Sequence, residues 1–363
     1  MKRQKKMENE WSKLLCKVSR DSGQDNAISF DTIGILDFSR TPRELMHFIL
    51  EHYYHVEQQL TSLRDLIIQD EELTEKEWAN LFRNMEHTLD RVDLVGTKLS
   101  SSQFITHPHL FSSLFQHVQS LNLSHNQLDG SWGSPDEAKT EQKEDPLNER
   151  IESSLNELYL SHNPLGKLPP CLSCHGSFSF PHLVILDISY CNLTTLSFTK
   201  VESLFPNVEE INLSGNPSLQ DIHGLDRFPS LCSLIATNNQ WTDLPSYINK
   251  DILSHLVNLE LQNNAIEELN ISSPMSNLTL LDVSQCPLIH IPNIHEATHL
   301  TYLMANQTKL TDIPLDILSI YPNLIQIEVE DTPIIPNELS DSLFTTRSTL
   351  FGDHKLIIKG LSS

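Results

Sequence analysis

Several features that would point to an enzyme or a membrane protein are scarce in this sequence. Only 11 of the 363 residues are glycine, which argues against glycine-rich phosphate-binding loops. No stretch approaches the roughly 18 apolar residues of a membrane span, so none is predicted. Lys and Arg number 25 against 48 Asp and Glu. This balance argues against nucleic-acid binding, which needs basic side chains on the phosphates, and favours a protein partner with a basic face.

Cysteine is also scarce, and it does not form the dense framework of small secreted proteins. The six cysteines are scattered along the chain, and we predict that they are reduced. The N-terminal segment is basic but lacks the apolar core of a secretory signal. We therefore predict a cytoplasmic protein, without excluding a nuclear one, and a flexible basic polar tail at residues 1–30.

Motifs that carry catalysis are missing as well. The sequence has no nucleophile elbow, phosphate loop, zinc-protease helix or kinase motif, so no catalytic residue is predicted. The one candidate metal site is the run CLSCH, in which Cys171, Cys174 and His175 form a C-x-x-C-H motif. Haem attachment to this motif needs an exported protein, and zinc needs further ligands that no second C-x-x-C supplies. We interpret these residues as part of an outer loop that holds no metal or cofactor, with a zinc half-site as the alternative.

What the sequence does contain is a repeat of spaced leucines. The stretch Leu278–Pro314 contains the pattern L-x-x-L-x-L-x-x-N-x-L twice. The two copies are 22 residues apart and have Cys or Thr in place of Asn. A fixed period of this kind is the signature of a solenoid. Units with the same spacing begin at Ile33, Leu63, Leu89, Val118, Leu155, Leu183, Val208, Leu231, Leu256, Leu278, Leu300 and Leu324.

Elementary geometry gives each part of this unit a structure. The L-x-L portion predicts a short strand with its leucines in the core, paired in parallel with the strands of neighbouring units. The Asn side chain is expected to bond the backbone of the turn that ends the strand. The first three units are 26 to 30 residues apart, which leaves room for an outer helix, whereas the units from Val208 onward are 22 to 25 residues apart and do not.

This pattern resembles the leucine-rich repeat superfamily, with long N-terminal units similar to the ribonuclease-inhibitor class and short, typical C-terminal units. The resemblance implies an α/β solenoid, a horseshoe or arc with a parallel β-sheet on its concave face. Helices would lie outside the N-terminal repeats and irregular or 3₁₀ segments outside the C-terminal ones. The cysteine-bounded caps of secreted members are absent, which implies an intracellular type. About 12 repeats would fill residues 31–336, with a disordered acidic insertion at 130–154 and a C-terminal cap at 337–363.

The resemblance also implies that proteins bind the concave face. Outward positions on that face are acidic and rich in amides, and they include aromatic residues and Met, which are enriched in interfaces. We therefore predict a partner-binding surface made of Tyr159, Asp187, Tyr190, Glu210, Glu260, Asn263, Asp282, Tyr302, Met304, Glu328 and Asp331.

Two functions fit this surface. The first is a non-enzymatic scaffold or adaptor that binds a protein partner on the concave face. The alternative is a regulatory or substrate-recognition subunit of an enzyme complex, such as a phosphatase, a small-GTPase pathway, a ubiquitin ligase or a cytoskeletal chaperone. A metalloprotein centred on Cys171–His175 is a third hypothesis from a different class.

Overall fold

The structure, a computed structural model, describes most of the predicted repeat region. Two compact units, Met1–Leu186 and Asp187–Ser363, divide the chain, and both are built from the same repeating element. The predicted tail at 1–30 lies outside the described residues, as do most of the predicted insertion and most of the predicted cap. The described residues are 33–51, 60, 62–82, 89–106, 108–132, 151–172, 178–198, 205–219, 221–225, 228–245, 248, 250–314, 316–334 and 356–360.

The first unit combines a parallel ladder of short strands with helices. Strands β1 to β4 and β6 form the ladder, each paired with the next, while β5 and β7 pair with each other outside it. The strands are β1 (Ile35–Asp37), β2 (Asp65–Ile67), β3 (Arg91–Asp93), β4 (Ser120–Asn122), β5 (Ile151–Glu152), β6 (Glu157–Tyr159) and β7 (Phe178–Ser179). The helices are α1 (Arg43–Glu51), α2 (Glu75–Phe82), α3 (Ser101–Thr106) and α4 (Pro108–His117), and a 3₁₀ turn spans Pro170–Leu172.

The second unit repeats the ladder with much shorter segments between its strands. Strand β8 (Ile185–Asp187) contains the boundary between the two units. The later strands are β9 (Thr195–Ser197), β10 (Glu210–Asn212), β11 (Asp221–His223), β12 (Ser233–Ile235), β13 (Asn258–Glu260), β14 (Asn270–Ile271), β15 (Leu280–Asp282), β16 (Asn293–Ile294), β17 (Tyr302–Met304), β18 (Gln326–Glu328) and β19 (Ile357–Lys359). Strands β10, β12, β13, β15, β17, β18 and β19 form the ladder in that order. The described helices here are α5 (Lys250–Leu253) and α6 (Ile317–Ile320), one turn each.

The strand register is the one that the leucine spacing predicts. Each of the twelve sequence units has a ladder strand that begins two residues after its first residue, as Leu280 follows Leu278. The middle residue of each of these strands is fully buried in the core, as Leu281 shows. The predicted α/β solenoid class is confirmed, with helices beside the early strands and short or irregular segments beside the later ones. The sequence did not predict that β5/β7, β9/β11 and β14/β16 pair as small outer parallel sheets.

A column of buried asparagines ties each repeat to the one before it. Asn264 donates from Nδ2 to the carbonyl of Leu261 in its own repeat (2.9 Å) and to that of Ala236 in the preceding repeat (2.8 Å). Its Oδ1 accepts the backbone N–H groups of Asn239 (3.1 Å) and Trp241 (3.0 Å). The amide therefore satisfies turn groups that no ladder partner reaches. Bonds of the same kind are made by Asn126, Asn163 and Asn216.

Small polar residues replace Asn in some repeats and make fewer bonds. Thr308 donates its hydroxyl only to the Ala305 carbonyl of its own repeat, at 2.9 Å. The Cys286 thiol donates only to the Leu261 carbonyl of the preceding repeat, at 3.2 Å. A hydroxyl or thiol has one proton to donate, whereas the amide has two. These repeats therefore keep only part of the link that Asn provides.

Aspartate and asparagine also cap the ends of ladder strands. The carboxylate of Asp282 accepts the backbone N–H of Ser284 at 2.9 Å. The same local bond between a side chain and the backbone two residues later is characteristic of these short residues at turns. It recurs at Asp37, Asp93, Asn122, Asp187 and Asn212.

Three repeats without Asp or Asn at this position satisfy the same N–H group from the preceding repeat. The N–H of Thr237 bonds the Ser214 hydroxyl at 3.1 Å, and that of Asn306 bonds the Ser284 hydroxyl at 3.2 Å. The N–H of Glu330 bonds the Asn306 side-chain oxygen at 2.8 Å. In these repeats the third residue of the strand therefore does not have to accept this N–H group.

The structure corrects the boundaries of the predicted insertion at 130–154. Trp132 is fully buried, with its ring centroid 5.2 Å from that of Phe104 and 6.3 Å from that of Phe115. At the other end Ile151 begins strand β5, and the buried Ser153 donates its hydroxyl to the Phe115 carbonyl at 2.7 Å. The rest of the predicted insertion, residues 133–150, lies outside the described residues. Within the run KLIIKGL of the predicted cap, Ile357–Lys359 forms β19.

The asparagine column predicts different losses of stability when two of its members are replaced by alanine. Asn264 makes four hydrogen bonds to the backbone, whereas the equally buried Asn239 accepts one from Asn216 and its Nδ2 has no partner among the described residues. Asn264→Ala should lower the free energy of unfolding by about 2–4 kcal/mol and Asn239→Ala by about 1 kcal/mol. Urea unfolding followed by circular dichroism measures both, and equal losses would contradict the assigned role of the column.

The capping carboxylate of Asp93 generates a second prediction. Burial raises the pKa of Asp93, although hydrogen bonds from Gln69 and Val95 oppose that shift. Because the folded-state pKa exceeds the unfolded one, the folded chain holds this proton more tightly, and the ionised carboxylate lowers stability at neutral pH. Asp93→Asn keeps an oxygen for the Val95 N–H, as Asn122 does for Ser124. We expect the variant to unfold at higher urea than wild type at pH 7.

The advantage of Asp93→Asn should narrow as the pH falls through the raised pKa, because the wild-type side chain then becomes neutral as well. Asp187→Asn is the matched control, since Asp187 caps Ser189 in the same way but is more exposed. A lower unfolding midpoint for Asp93→Asn than for wild type at pH 7 would contradict this prediction, because it would show that the ionised carboxylate stabilises the fold.

Candidate protein-binding surface

In each unit the outward residues of the ladder strands form a surface, which we call the ladder face. It consists of the first and third residues of each ladder strand and of the residue three positions after the third. In β13, for example, Leu259 is buried while Asn258 and Glu260 are partly exposed. All eleven predicted partner-binding residues occupy such positions. Tyr159 belongs to the first unit, and the second unit carries Asp187, Tyr190, Glu210, Glu260, Asn263, Asp282, Tyr302, Met304, Glu328 and Asp331.

Some of the predicted acidic residues are already engaged by the fold. Asp282 is 8% exposed, caps Ser284, and accepts a hydrogen bond from the side chain of Gln262 at 2.6 Å. Asp187 likewise caps Ser189. These two carboxylates are explained by the ends of their strands, so the acidity of the ladder face overstates the charge that a partner would meet.

Glu328 is engaged in a different way. Its Oε1 lies 3.1 Å from Nζ of Lys359 on the neighbouring strand and accepts the side-chain amide of Gln326 at 2.7 Å. The hydrogen bond from Lys359, with help from Asn306, lowers the pKa of Glu328, so the carboxylate is ionised and paired. Glu260 has a looser environment, with one hydrogen bond from Gln262 at 3.3 Å. Of these acids, Glu260 is the more available to a partner.

A column of left-handed residues lines one side of the ladder face. The residue three positions after each strand end has φ between +52° and +67° in the repeats of β2 to β18. Asn and Gly adopt this conformation readily, which explains Asn263, Asn238 and Gly215 without a functional role. Tyr190, at φ +52°, is unusual because bulky residues rarely adopt it.

The surroundings of Tyr190 hold its ring in place. Gly215 leaves the space that the ring fills, since a Cβ there would lie 2.3 Å from the tyrosine Cδ1. The Tyr190 hydroxyl accepts a hydrogen bond from the Asn238 side chain at 3.0 Å, and Asn263 donates in turn to Asn238. Tyr190 is therefore an exposed, fixed aromatic residue. Of the residues that support it, Asn263 is a predicted site residue, whereas Gly215 and Asn238 are not.

Two further features of the ladder face were missed. His125 and His162 stack in the first unit, with ring centroids 4.1 Å apart and planes within 12°. The shared run L-S-H-N in consecutive units was the available signal. In the second unit Ile325 and Ile357 are 40% and 45% exposed beside Tyr302, and an isoleucine at a non-leucine position of the repeat was the signal there.

The structure describes only one of the three candidate metal ligands. Cys171 is buried in the 3₁₀ turn, while Cys174 and His175 lie outside the described residues. Within the described ranges no three His, Cys, Asp or Glu side chains are grouped as metal ligands. None of the described helices is long and apolar enough to cross a membrane.

Comparison with known proteins matches the repeat. The family model described as Leucine Rich Repeat matches residues 154–175. Yeast (Saccharomyces cerevisiae) Protein PAC2 is 31% identical over 195 residues, which cover 51% of this chain and 33% of PAC2. Zebrafish (Danio rerio) tubulin-specific chaperone E is 27% identical over 229 residues, which cover 54% of this chain and 42% of the chaperone. The chain thus spans less than half the length of these two relatives.

Among solved structures, a leucine-rich repeat protein of Leptospira interrogans superposes with a TM-score of 0.48 and 19% identity, covering 84% of this chain and 74% of that one. The family-model match falls on the repeat of β6, whose strand, asparagine and leucines have the same arrangement as in the other repeats. The chain therefore contains leucine-rich repeats.

Proposed function

We propose that the protein is a non-enzymatic, cytoplasmic interaction scaffold that binds a protein partner through its ladder face. The observation that supports this most is the third strand position, where six of the twelve repeats carry a capping Asp or Asn. The repeats of β6, β13 and β17 carry Tyr159, Glu260 and Met304 there instead. In the repeat of β17 the Ser284 hydroxyl bonds the N–H that Met304 does not cap, so the fold does not account for this methionine.

Aromatic residues and methionine on a sheet surface fit a binding role better than a structural one. Both are enriched in protein interfaces, and an aromatic ring covers a large apolar area at low entropic cost. Tyr190, fixed over Gly215 and bonded to Asn238, adds an anchor that needs little further ordering when a partner binds. The proposed mechanism is thus the rigid presentation of fixed side chains on a parallel ladder.

Differential capture tests this proposal. The ladder-face variant is Glu210→Gln/Glu260→Gln/Met304→Ser, and the control is Glu267→Gln/Glu268→Gln/Ile289→Ser, which changes charge and apolar area equally on exposed residues outside the ladder face. Both are used as bait in the native cell beside wild type. We expect the ladder-face variant to lose proteins that the control retains. Identical recovery by all three baits would refute binding through this face.

A second candidate function is suggested by one relative. The zebrafish protein is by its name a chaperone specific for tubulin, and its similarity covers 54% of this chain. Among the subunit roles that the sequence leaves open, this favours a cytoskeletal chaperone over a phosphatase, GTPase-pathway or ubiquitin-ligase subunit. The chain would then contribute the tubulin-recognising ladder face of a larger activity.

Purified tubulin tests this second candidate directly. We expect the full chain to co-elute with tubulin heterodimer in size-exclusion chromatography at micromolar concentrations, and the ladder-face variant to elute separately. The charge-matched control should still co-elute. If the wild-type chain and tubulin elute separately, tubulin is not the partner, and the general scaffold proposal stands or falls on the capture experiment alone.

A further inference from the structure

Three large apolar side chains stand exposed together at the C-terminal end of the ladder. They are Tyr302 on β17, Ile325 immediately before β18, and Ile357 on β19, with 41%, 40% and 45% of their surfaces exposed. We call these three residues the C-terminal apolar patch. They account for three of the eight large apolar residues found exposed in the described part of the chain. These three lie on or immediately before three neighbouring strands.

The strand register brings the three side chains close together. Tyr302 pairs with Gln326, and Gln326 pairs with Ile357. Neighbouring strands lie about 4.8 Å apart, so Tyr302 and Ile357 stand about 10 Å apart with Gln326 between them. The backbone of Ile325 is bonded on both sides, to Thr301 at 2.9 Å and to Ile357 at 2.7 Å. The patch is therefore held on a hydrogen-bonded ladder.

The core does not explain the patch. Leu303 and Ile327, which point inward from β17 and β18, are 1% and 0% exposed, so the core at these strands is filled without the patch residues. A contiguous group of exposed apolar side chains lowers solubility, and on a folded protein it commonly marks an interaction site. Single exposed apolar residues, by contrast, need no explanation.

The charges around the patch indicate which partner fits. The described residues from 278 onward include seven acidic side chains and two basic ones, Lys309 and Lys359. Lys359 is paired with Glu328. Glu330 and Asp331 follow the opposite end of β18, about 16 Å along the strand from Ile325; they are exposed and form no ion pair with any described residue. A second copy of this chain would bring the same acids together, and an anionic lipid surface would be repelled, so both are disfavoured.

We infer that the C-terminal apolar patch is a docking site for a protein segment in which an apolar side chain is flanked by Lys or Arg. The apolar side chain lies between Tyr302, Ile325 and Ile357, and the basic side chains meet Glu330 and Asp331. This inference rests on the proposed scaffold function and names the chemistry of the segment that this part of the ladder face recognises.

A random twelve-residue peptide library displayed on phage, selected against the full chain, tests the inference. The enriched sequences are synthesised with a fluorophore and titrated by anisotropy. We expect them to combine an apolar or aromatic residue with Lys or Arg, and to lose affinity as salt is raised. The test variants are Tyr302→Ser/Ile325→Ser and, separately, Ile357→Ser. Ile320→Ser on α6 is the control, since Ile320 is 41% exposed just before the repeat of β18.

The double variant should weaken binding by about tenfold or more, as expected for residues at the centre of an interface. The control should stay within about twofold of wild type, as surface substitutions usually do. Glu330→Gln/Asp331→Asn should weaken binding and reduce its salt dependence. Circular dichroism and urea midpoints close to wild type establish that each variant is folded.

The inference is overturned if no peptide is enriched, if the enriched peptides lack basic residues, or if the patch and control variants bind alike. Its failure is separable from that of the scaffold proposal. A native partner that is lost with Glu210→Gln/Glu260→Gln/Met304→Ser but kept with Tyr302→Ser/Ile325→Ser would leave the scaffold in place and remove the patch as its docking site. A partner kept by both variants would remove both proposals.

Discussion

The hydrogen bonds of the buried asparagine side chain are the interaction on which the rest of each repeat depends. A parallel ladder satisfies the backbone groups of its strands, but the turns that follow have no ladder partner and are buried all the same. Asn264 satisfies four such groups at once, three of them in the preceding repeat. Because each asparagine joins two repeats, every repeat is stabilised chiefly by its neighbours, as expected for a solenoid.

This dependence explains which parts of the fold the sequence predicts. Leucine spacing and the asparagine position recur because burial and turn bonding impose them on every repeat, so the twelve strand starts follow directly from the pattern. The outer segments are under weaker constraint. Thr195–Ser197 and Asp221–His223 pair as β9 and β11 although each run is shorter than the roughly four to eight alternating residues that predict a strand. Trp132 was assigned to a polar insertion because its neighbours are polar, yet its indole fills the space between Phe104 and Phe115.

The ladder face was harder to interpret, because one residue type serves two purposes there. An aspartate at the end of a strand looks like a charge offered to a partner, but Asp282 bonds Ser284 and Gln262 and is nearly inaccessible. An asparagine in the left-handed position looks like an amide offered for recognition, but Asn263 is there because its backbone tolerates positive φ. Sequence reasoning identified all eleven candidates as outward residues of the ladder, which they are, but could not separate these uses, since hydrogen bonds decide between them.

The structural and the partner-binding uses of a residue can be distinguished by asking what hydrogen bond or backbone conformation the fold requires at its position. Where a repeat places Met304 at the position that elsewhere holds a capping Asp or Asn, a neighbouring hydroxyl must do the capping, and Ser284 does so for Asn306. Where a repeat places Tyr190 in a left-handed turn, the next repeat leaves out a side chain at Gly215 to receive its ring. These are compensations in one repeat for a residue in another. The proposed scaffold function rests on such pairs of residues, which in the second unit involve the repeats of β8 and β17.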